Sequence, residues 1–362
     1  MHECCAVVGI YSPGEDVARL TFFALFALQH RGQESSGIAT ADGDGIQVYT
    51  NMGLVTQVFN EDALSRLTGH IAIGHNRYST SGSSQICNAQ PIVVGTGADT
   101  ITIAHNGNIV NAKHLFDELS SQGYTFKSST DTEVIANLII SAPDKDLVDK
   151  IRYAMHRLQG VYSLTIMTKD RLFGVRDPLG LRPLVLGKIN GGWIFASETC
   201  ALDHIGATFI REVEPGEIVT IGENGLQSYP EESGKRALCI FEYIYFARLD
   251  STINGRLLYQ ARRAMGAGLA DEHPVDADLV VGVPDSALAA AAGYAQRSGI
   301  PLAEGLVKNR YVGRTFIEPD QRIRDLGVKL KYNPMSQVVA GKRIVLVDDS
   351  IVRGTTTPHV IK

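Results

Sequence analysis

Residues 344–357, I-V-L-V-D-D-S-I-V-R-G-T-T-T, constrain this chain more than any other stretch. Four consecutive apolar residues, mostly β-branched, read as a strand buried on both faces. The strand ends in two carboxylates, Asp348 and Asp349, and a loop of hydroxyls around Gly354 then opens a helix. Such a strand–loop–helix belongs in a parallel sheet covered on both faces, which binds ligands at the carboxyl ends of its strands. Each part suits a phosphate. The helix N-terminus offers unpaired N–H groups and a partial positive charge. Gly354 permits close backbone approach, and Ser350, Thr355 and Thr356 can donate to phosphate oxygens. The two carboxylates can accept from sugar hydroxyls or hold Mg²⁺.

The neighbouring sequence supports that frame. D-L-V-V-G-V (278–283) reads as a second buried strand and A-L-A-A-A-A-G-Y-A (287–295) as a helix face. The texture before residue 226 differs. A-V-V-G-I-Y, I-A-I-G-H, T-I-T-I-A-H, Y-S-L-T-I-M and E-I-V-T-I read as strands, and 17–28, 112–119 and 131–140 show helical periodicity, a strand-rich α+β pattern. Residues 226–236 are polar, contain a proline and read as a linker. The 362 residues therefore divide into an expected N-terminal domain at 5–230 and a C-terminal α/β domain at 231–362. The C-terminal sheet is expected to need further strands beyond Lys362, so that domain reads as truncated.

Composition excludes some functions. A net charge of −5 supplies no basic footprint for nucleic acid or a membrane surface. The apolar run 20–28 is far short of the ~20 residues that span a bilayer. It also lacks a signal peptide's basic flank and cleavage site, so a cytoplasmic protein is expected. The five cysteines are scattered without C-x-x-C, which argues against a disulfide framework or a self-contained zinc site.

Two of those cysteines, Cys4 and Cys5, open the chain in M-H-E-C-C-A-V-V-G-I. A thiol with a pKa near ~8.5 needs a base, and an N-terminal cysteine has one in its own α-amino group, near ~8. The structural alternative is two small apolar residues entering a strand. The motifs that follow decide for chemistry: L-Q-H-R-G-Q-E-S-S-G-I (28–38), G-H-N-R-Y-S-T-S-G (74–82), A-H-N-G-N-I (104–109) and S-S-T-D-T-E (128–133). Together they resemble the class II glutamine amidotransferases, an N-terminal-nucleophile family with an αββα fold. Counting back from Gly9-Ile10 in that family's C-x-V-x-G-I pattern places the nucleophile at Cys5, with residues 1–4 as a propeptide to be removed. The resemblance implies an oxyanion hole from the Asn106 side chain and the Gly107 N–H. It implies Arg77 on the glutamine α-carboxylate, Asp131 on its ammonium, and Arg31 ordering the loop over glutamine. His30, His75 and His105 read as structural histidines, because the α-amino group already serves as base.

Residues 344–357 resemble the phosphoribosyl-pyrophosphate (PRPP) loop of the type I phosphoribosyltransferases. That resemblance implies PRPP contacts from Asp348, Asp349, Ser350, Arg353, Gly354, Thr355 and Thr356. V-G-V-P-D-S (281–286) then meets the pyrophosphate, and Ser286, Asp348 and Asp349 are the expected Mg²⁺ ligands. K-N-R-Y-V-G-R-T-F (308–316), taken alone a solvated loop, becomes a lid whose Lys308, Arg310 and Arg314 carry charge over pyrophosphate.

The order of the two domains, with C-I-F-E-Y-I-Y-F-A-R (239–248) at their junction, resembles the PRPP amidotransferase family. The expected reaction moves ammonia from glutamine to PRPP, giving 5-phosphoribosylamine, glutamate and pyrophosphate, the committed step of purine synthesis. Ammonia would need a dry internal passage, and PRPP would stimulate glutamine hydrolysis. Purine nucleotides are the expected feedback inhibitors and a homo-oligomer, dimer or tetramer, the expected assembly. In family members with a [4Fe–4S] centre, the cysteine matching Cys239 is one ligand. A cluster needs four thiolates, so only a longer protein could hold one. The alternatives are a hexosamine-synthase-like amidotransferase, against which the PRPP loop argues, and a truncated or decayed relative acting only as a glutaminase or PRPP binder.

Overall fold

The computed structural model describes residues 5–78, 84–231, 236–309 and 332–351. Contacts divide the chain into two units between Cys239 and Ile240, with Thr252–Asn254 going to the first. The sequence reading puts the boundary at 230/231 instead.

The first unit stacks two antiparallel sheets between helices. One sheet contains β1 (Ala6–Tyr11), β2 (Ser35–Ala41), β3 (Ile46–Met52), β4 (Ile71–Arg77), β9 (Val185–Ile189), β10 (Gly192–Ala196) and β11 (Thr208–Glu212). Its order is β11-β9-β10-β1-β4-β2-β3. The other contains β5 (Ile92–Val94), β6 (Ile101–Ile109), β7 (Gly160–Met167), β8 (Leu172–Arg176), β12 (Glu217–Gly222) and β13 (Gly225–Pro230), in the order β13-β12-β8-β7-β6-β5.

Strand alternation explains the layering. Ala6, Val8 and Ile10 of β1 pack outward on the helix Val17–Ala27, whereas Val7 and Tyr11 face the second sheet. Ile71 and Ile73 of β4 and Ala104 of β6 join them in the layer between the sheets. Ile101, Ile103 and Ile109 of β6 face the helices Ala112–Ser121, Asp131–Ser141 and Leu147–Arg157 on the far side. Two sheets with an outer helical layer on each side make the αββα arrangement.

One expectation fails here. Residues 226–230, read as a linker, form the edge strand β13, paired antiparallel with β12. Its exposed polar positions are what an edge strand tolerates. They mimic a linker when no partner is in view.

The second unit holds a parallel pair, Leu279–Gly282 beside Ile344–Val347, in register from Leu279↔Ile344 to Gly282↔Val347. A short antiparallel pair, Leu306–Lys308 with Tyr332–Pro334, accompanies it. The helices Leu258–Glu272 and Leu288–Ser298 cross at backbone contact. A Cβ on Gly266 would stand 1.8 Å from the Ala290 carbonyl oxygen, and one on Gly293 would stand 1.9 Å from that of Arg263. Val280, Ala291, Tyr294, Ala295 and Val347 form the core between helix and strands. Among the described residues no helix is long and apolar enough to cross a membrane.

Candidate active site

Cys5 immediately precedes β1 and shares the inward face with Val7. The β1–β4 register, with Ala6 opposite Asn76, sets Cys5 across from Arg77. The thiol is only 5% exposed. It lies 3.4 Å from the Tyr78 carbonyl oxygen and 3.4 Å from the Tyr78 nitrogen, whose N–H can donate to it. Burial pushes the thiol up to about 11; the Tyr78 hydrogen bond and the Arg77 and Arg182 guanidiniums oppose this, and the Asp131 charge adds to it. Arg77 and Asp131, far apart in sequence, therefore share an electrostatic site with Cys5. Arg77 is itself paired with Glu34.

Asn106 sits on the inward face of β6, two residues beyond Ala104. It is fully buried, yet neither polar atom of its amide has a hydrogen-bond partner among the described residues. A buried amide left unpaired costs free energy unless something else arrives to use it. The backbone beside it is aimed as well. The His105 N–H donates to Gln90 Oε1 at 2.9 Å and the Ile109 N–H to Asp131 Oδ2 at 3.1 Å. Gly107, midway between them, must present its N–H to the same edge, away from β7. No side chain fits at Gly107: a Cβ would lie 2.0 Å from the Val161 carbonyl oxygen.

Asp131 owes its aim to the start of its helix. Thr130 is the N-cap and accepts from the Glu133 N–H. The Glu133 carboxylate folds back onto the N–H groups of Lys127 and Ser128. Asp131 is thereby fixed in the first turn, where an anion is favoured. Burial pushes its carboxyl up, but His105, 3.6 Å away, and backbone N–H donors hold it below its usual range.

The sequence reading has Arg31 ordering a loop over glutamine. In the structure its guanidinium is fully buried, donates from Nε to the Cys5 carbonyl oxygen at 3.1 Å, and pairs with Glu198. His30 meets the same Glu198 oxygen at 2.7 Å, and His75 Nε2 lies 3.0 Å from the His105 carbonyl oxygen. All three histidines are thus engaged by hydrogen bonds or ion pairs within the first unit. Glu198, Gln90 and Thr132 were not singled out from sequence, because their partners are tens to hundreds of residues distant.

In the second unit, the parallel register brings 283–286 and 348–350 to one sheet edge. Ser286 donates to Asp349, and Ser350 Oγ donates to the same carboxylate at 2.6 Å. Lys308 pairs with Asp285. The Tyr332 hydroxyl donates to the Pro284 carbonyl oxygen at 3.2 Å, and its phenol is pushed up to about 12 by burial and by the charges of Asp348, Asp285 and Asp349. Residues 1–4, Arg310, Arg314, Arg353, Gly354, Thr355 and Thr356 lie outside the described residues.

Among the described residues no trio of His, Cys, Asp or Glu is arranged to hold a metal by itself. The hard oxygens of Ser286, Asp348 and Asp349 nonetheless fit Mg²⁺, which commonly binds through one or two carboxylates together with substrate phosphates. An iron–sulfur cluster does not fit the described residues. Cys5 and Cys200 are buried in the first unit, Cys87 is exposed there, and Cys239 alone is the candidate ligand.

A family profile described as a glutamine amidotransferase domain matches residues 75–204. The chain is 53% identical to the amidophosphoribosyltransferase of Synechocystis sp. and 50% identical to that of Synechococcus elongatus. Each match covers 99% of this chain and 74% of the relative. Among solved structures, glutamine PRPP amidotransferase from B. subtilis, complexed with ADP and GMP, superposes with a TM-score of 0.92 at 45% identity. That match covers 99% of this chain and 78% of the other.

Proposed function

This chain belongs to the amidophosphoribosyltransferase family, and on that premise we propose which of its residues do the family's work. The enzyme transfers ammonia from glutamine to PRPP, giving 5-phosphoribosylamine, glutamate and pyrophosphate, the committed step of de novo purine synthesis. The single observation that carries the residue assignment is the Asn106 amide, fully buried on the inward face of β6 and without a partner among the described residues.

Cys5 Sγ attacks the glutamine side-chain carbonyl. The Cys5 α-amino group, freed by removal of residues 1–4, takes the thiol proton and passes it to the departing ammonia. Asn106 Nδ2 and the Gly107 N–H receive the oxyanion, which gives the Asn106 amide a partner. Water then cleaves the glutamyl thioester to glutamate. Arg77 suits the α-carboxylate and Asp131 the α-ammonium of glutamine. In the chain that retains residues 1–4, the Cys5 nitrogen is an amide and the buried thiol stays protonated at neutral pH, which supports a requirement for processing.

Asp348, Asp349, Ser350 and Ser286 receive PRPP, and Lys308 leaves Asp285 for pyrophosphate; Arg310, Arg314, Arg353, Gly354, Thr355 and Thr356 complete the set. Mg²⁺ held by Ser286, Asp348 and Asp349 would neutralise the pyrophosphate leaving group. We read the protein as a cytoplasmic homo-oligomer inhibited by purine nucleotides, supported for the nucleotides by the ADP and GMP of the B. subtilis relative.

The test is intact mass and N-terminal sequencing before and after a glutamine-analogue affinity label. A chain beginning at Cys5 with one adduct on that residue is the expected result. An adduct elsewhere, or activity in a chain that retains residues 1–4, overturns the assignment.

A further inference from the structure

We propose that Glu198 is a positioning residue for the Cys5 nucleophile, acting through the guanidinium of Arg31. The inference rests on the reading of Cys5 as nucleophile.

Three elements converge behind Cys5. The first is β1 itself. The second is the segment after β10, where the Ser197 N–H donates to the Val7 carbonyl oxygen at 3.0 Å and the Val7 N–H donates to Ser197 Oγ at 2.9 Å. That exchange zips residue 197 onto β1 and sets Glu198 beside its start. The third is the turn after the helix Val17–Ala27, where the Arg31 N–H donates to the Leu28 carbonyl oxygen at 3.0 Å. Arg31 is 0% and Glu198 1% exposed.

A guanidinium is planar and rigid, so pairing one edge fixes the direction of the other donors. Glu198 holds Arg31 Nη1, and Nε of the same plane donates to the Cys5 carbonyl oxygen. His30 Nε2 meets the same Glu198 oxygen as Arg31, which fixes that carboxylate in turn. Cys200 Sγ lies 3.7 Å from the other oxygen. Taking two charges fully out of water carries a desolvation penalty that the pair must offset, so an apolar pair could fill this space at less cost. What an apolar pair could not do is hold a carbonyl oxygen at a set point.

The need for such a hold follows from processing. Once residues 1–4 are gone, nothing covalent restrains Cys5 on its amino side. The Tyr78 N–H still meets its thiol, but its backbone is then placed from the carbonyl side, Val7 by Ser197 and Cys5 by Arg31. An error of ~1 Å in a reacting atom can cost ~100-fold in rate.

The experiment compares Glu198→Gln, Arg31→Lys, their double variant and Cys5→Ala in the full chain, with intact mass confirming the N-terminus. The readouts are kcat and KM for glutamine hydrolysis, the unfolding midpoint, and alkylation of Cys5 by iodoacetamide and by a glutamine-analogue label. Glu198→Gln should lower kcat roughly 10- to 100-fold with KM within about twofold, and slow the analogue label in step with kcat. Iodoacetamide labelling should stay within about twofold, since the thiol remains in the same burial. The double variant should be no slower than the slower single variant, as residues in one chain of contacts behave.

A Glu198→Gln chain with kcat within twofold of the parent overturns the proposal, as do losses in kcat that multiply in the double variant. If Glu198→Gln does not fold, Arg31→Lys carries the test. Lysine keeps a cation for Glu198 but has no fork to reach the Cys5 carbonyl, and an unchanged kcat there is equally fatal. The control separates the two readings. A Cys5→Ala chain that still releases glutamate removes the nucleophile assignment and this inference together. An inactive Cys5→Ala chain beside a fully active Glu198→Gln chain removes the inference alone.

Discussion

His75 Nε2 lies 3.0 Å from the carbonyl oxygen of His105, a bond that crosses from β4 in one sheet to β6 in the other. A carbonyl oxygen only accepts, so Nε2 carries the proton, and in the neutral ring Nδ1 is unprotonated. Burial pushes His75 down to about 3 from its ordinary 6.5. The bond ties the strand that carries Arg77 to the strand that carries Asn106.

The pH dependence of stability follows from that ring. Between about 3 and 6.5 the unfolded chain binds a proton at His75 that the folded chain refuses. Stability therefore rises with pH across that window and is lost on acidification. His75→Gln keeps a donor near the His105 carbonyl oxygen without the titration. The difference in urea midpoint between pH 5 and pH 7.5 should be smaller in His75→Gln than in the parent. An equal difference would count against the assignment.

Asn106→Ala should separate stability from catalysis. The amide has no partner among the described residues, so its removal should forfeit no hydrogen bond and leave the unfolding midpoint nearly unchanged. Loss of one oxyanion donor should lower kcat for glutamine hydrolysis by roughly 10²- to 10³-fold. A large fall in midpoint with kcat intact would make the residue structural.

Cys5 should report its own processing. In a chain that retains residues 1–4, the thiol titrates at about 11, so iodoacetamide labelling should climb about tenfold per pH unit from 7 to 9.5 without levelling. In a chain that begins at Cys5, labelling should level near ~8, where the α-amino group titrates. Two identical profiles would exclude the amine as base.

Asp349→Asn should weaken PRPP binding more than tenfold in the presence of Mg²⁺, measured by calorimetric titration. Asp349 accepts from Ser286 on one carboxylate oxygen and from Ser350 on the other, so the substitution disturbs four oxygens that face one edge. Chelation of Mg²⁺ should weaken PRPP binding in the parent while iodoacetamide labelling of Cys5 continues. An unchanged PRPP affinity in Asp349→Asn would remove the carboxylate from the site.

Motif residues were legible in the sequence because each motif is local. A-V-V-G-I-Y announces β1, T-D-T-E announces the helix that aims Asp131, and D-D-S ends its strand as expected. The strand β2 was not, since S-S-G-I-A-T-A has few of the bulky residues that signal a strand, though every position is buried. Nor was Glu198, which sits 167 positions from Arg31. No periodicity joins residues that far apart; the β1–β10 pairing, extended by the exchange between Ser197 and Val7, brings Glu198 to the start of β1.

The depth of the Cys5 thiol has a further consequence, in redox chemistry. Peroxides and other oxidants attack thiolates at exposed positions, and a thiol 5% exposed and protonated at neutral pH offers neither. On the proposed reading of Cys5, a newly made chain therefore waits with its thiol chemically latent. On that reading, removal of residues 1–4 supplies the base and ends this protection, so reactivity and vulnerability to oxidation begin together.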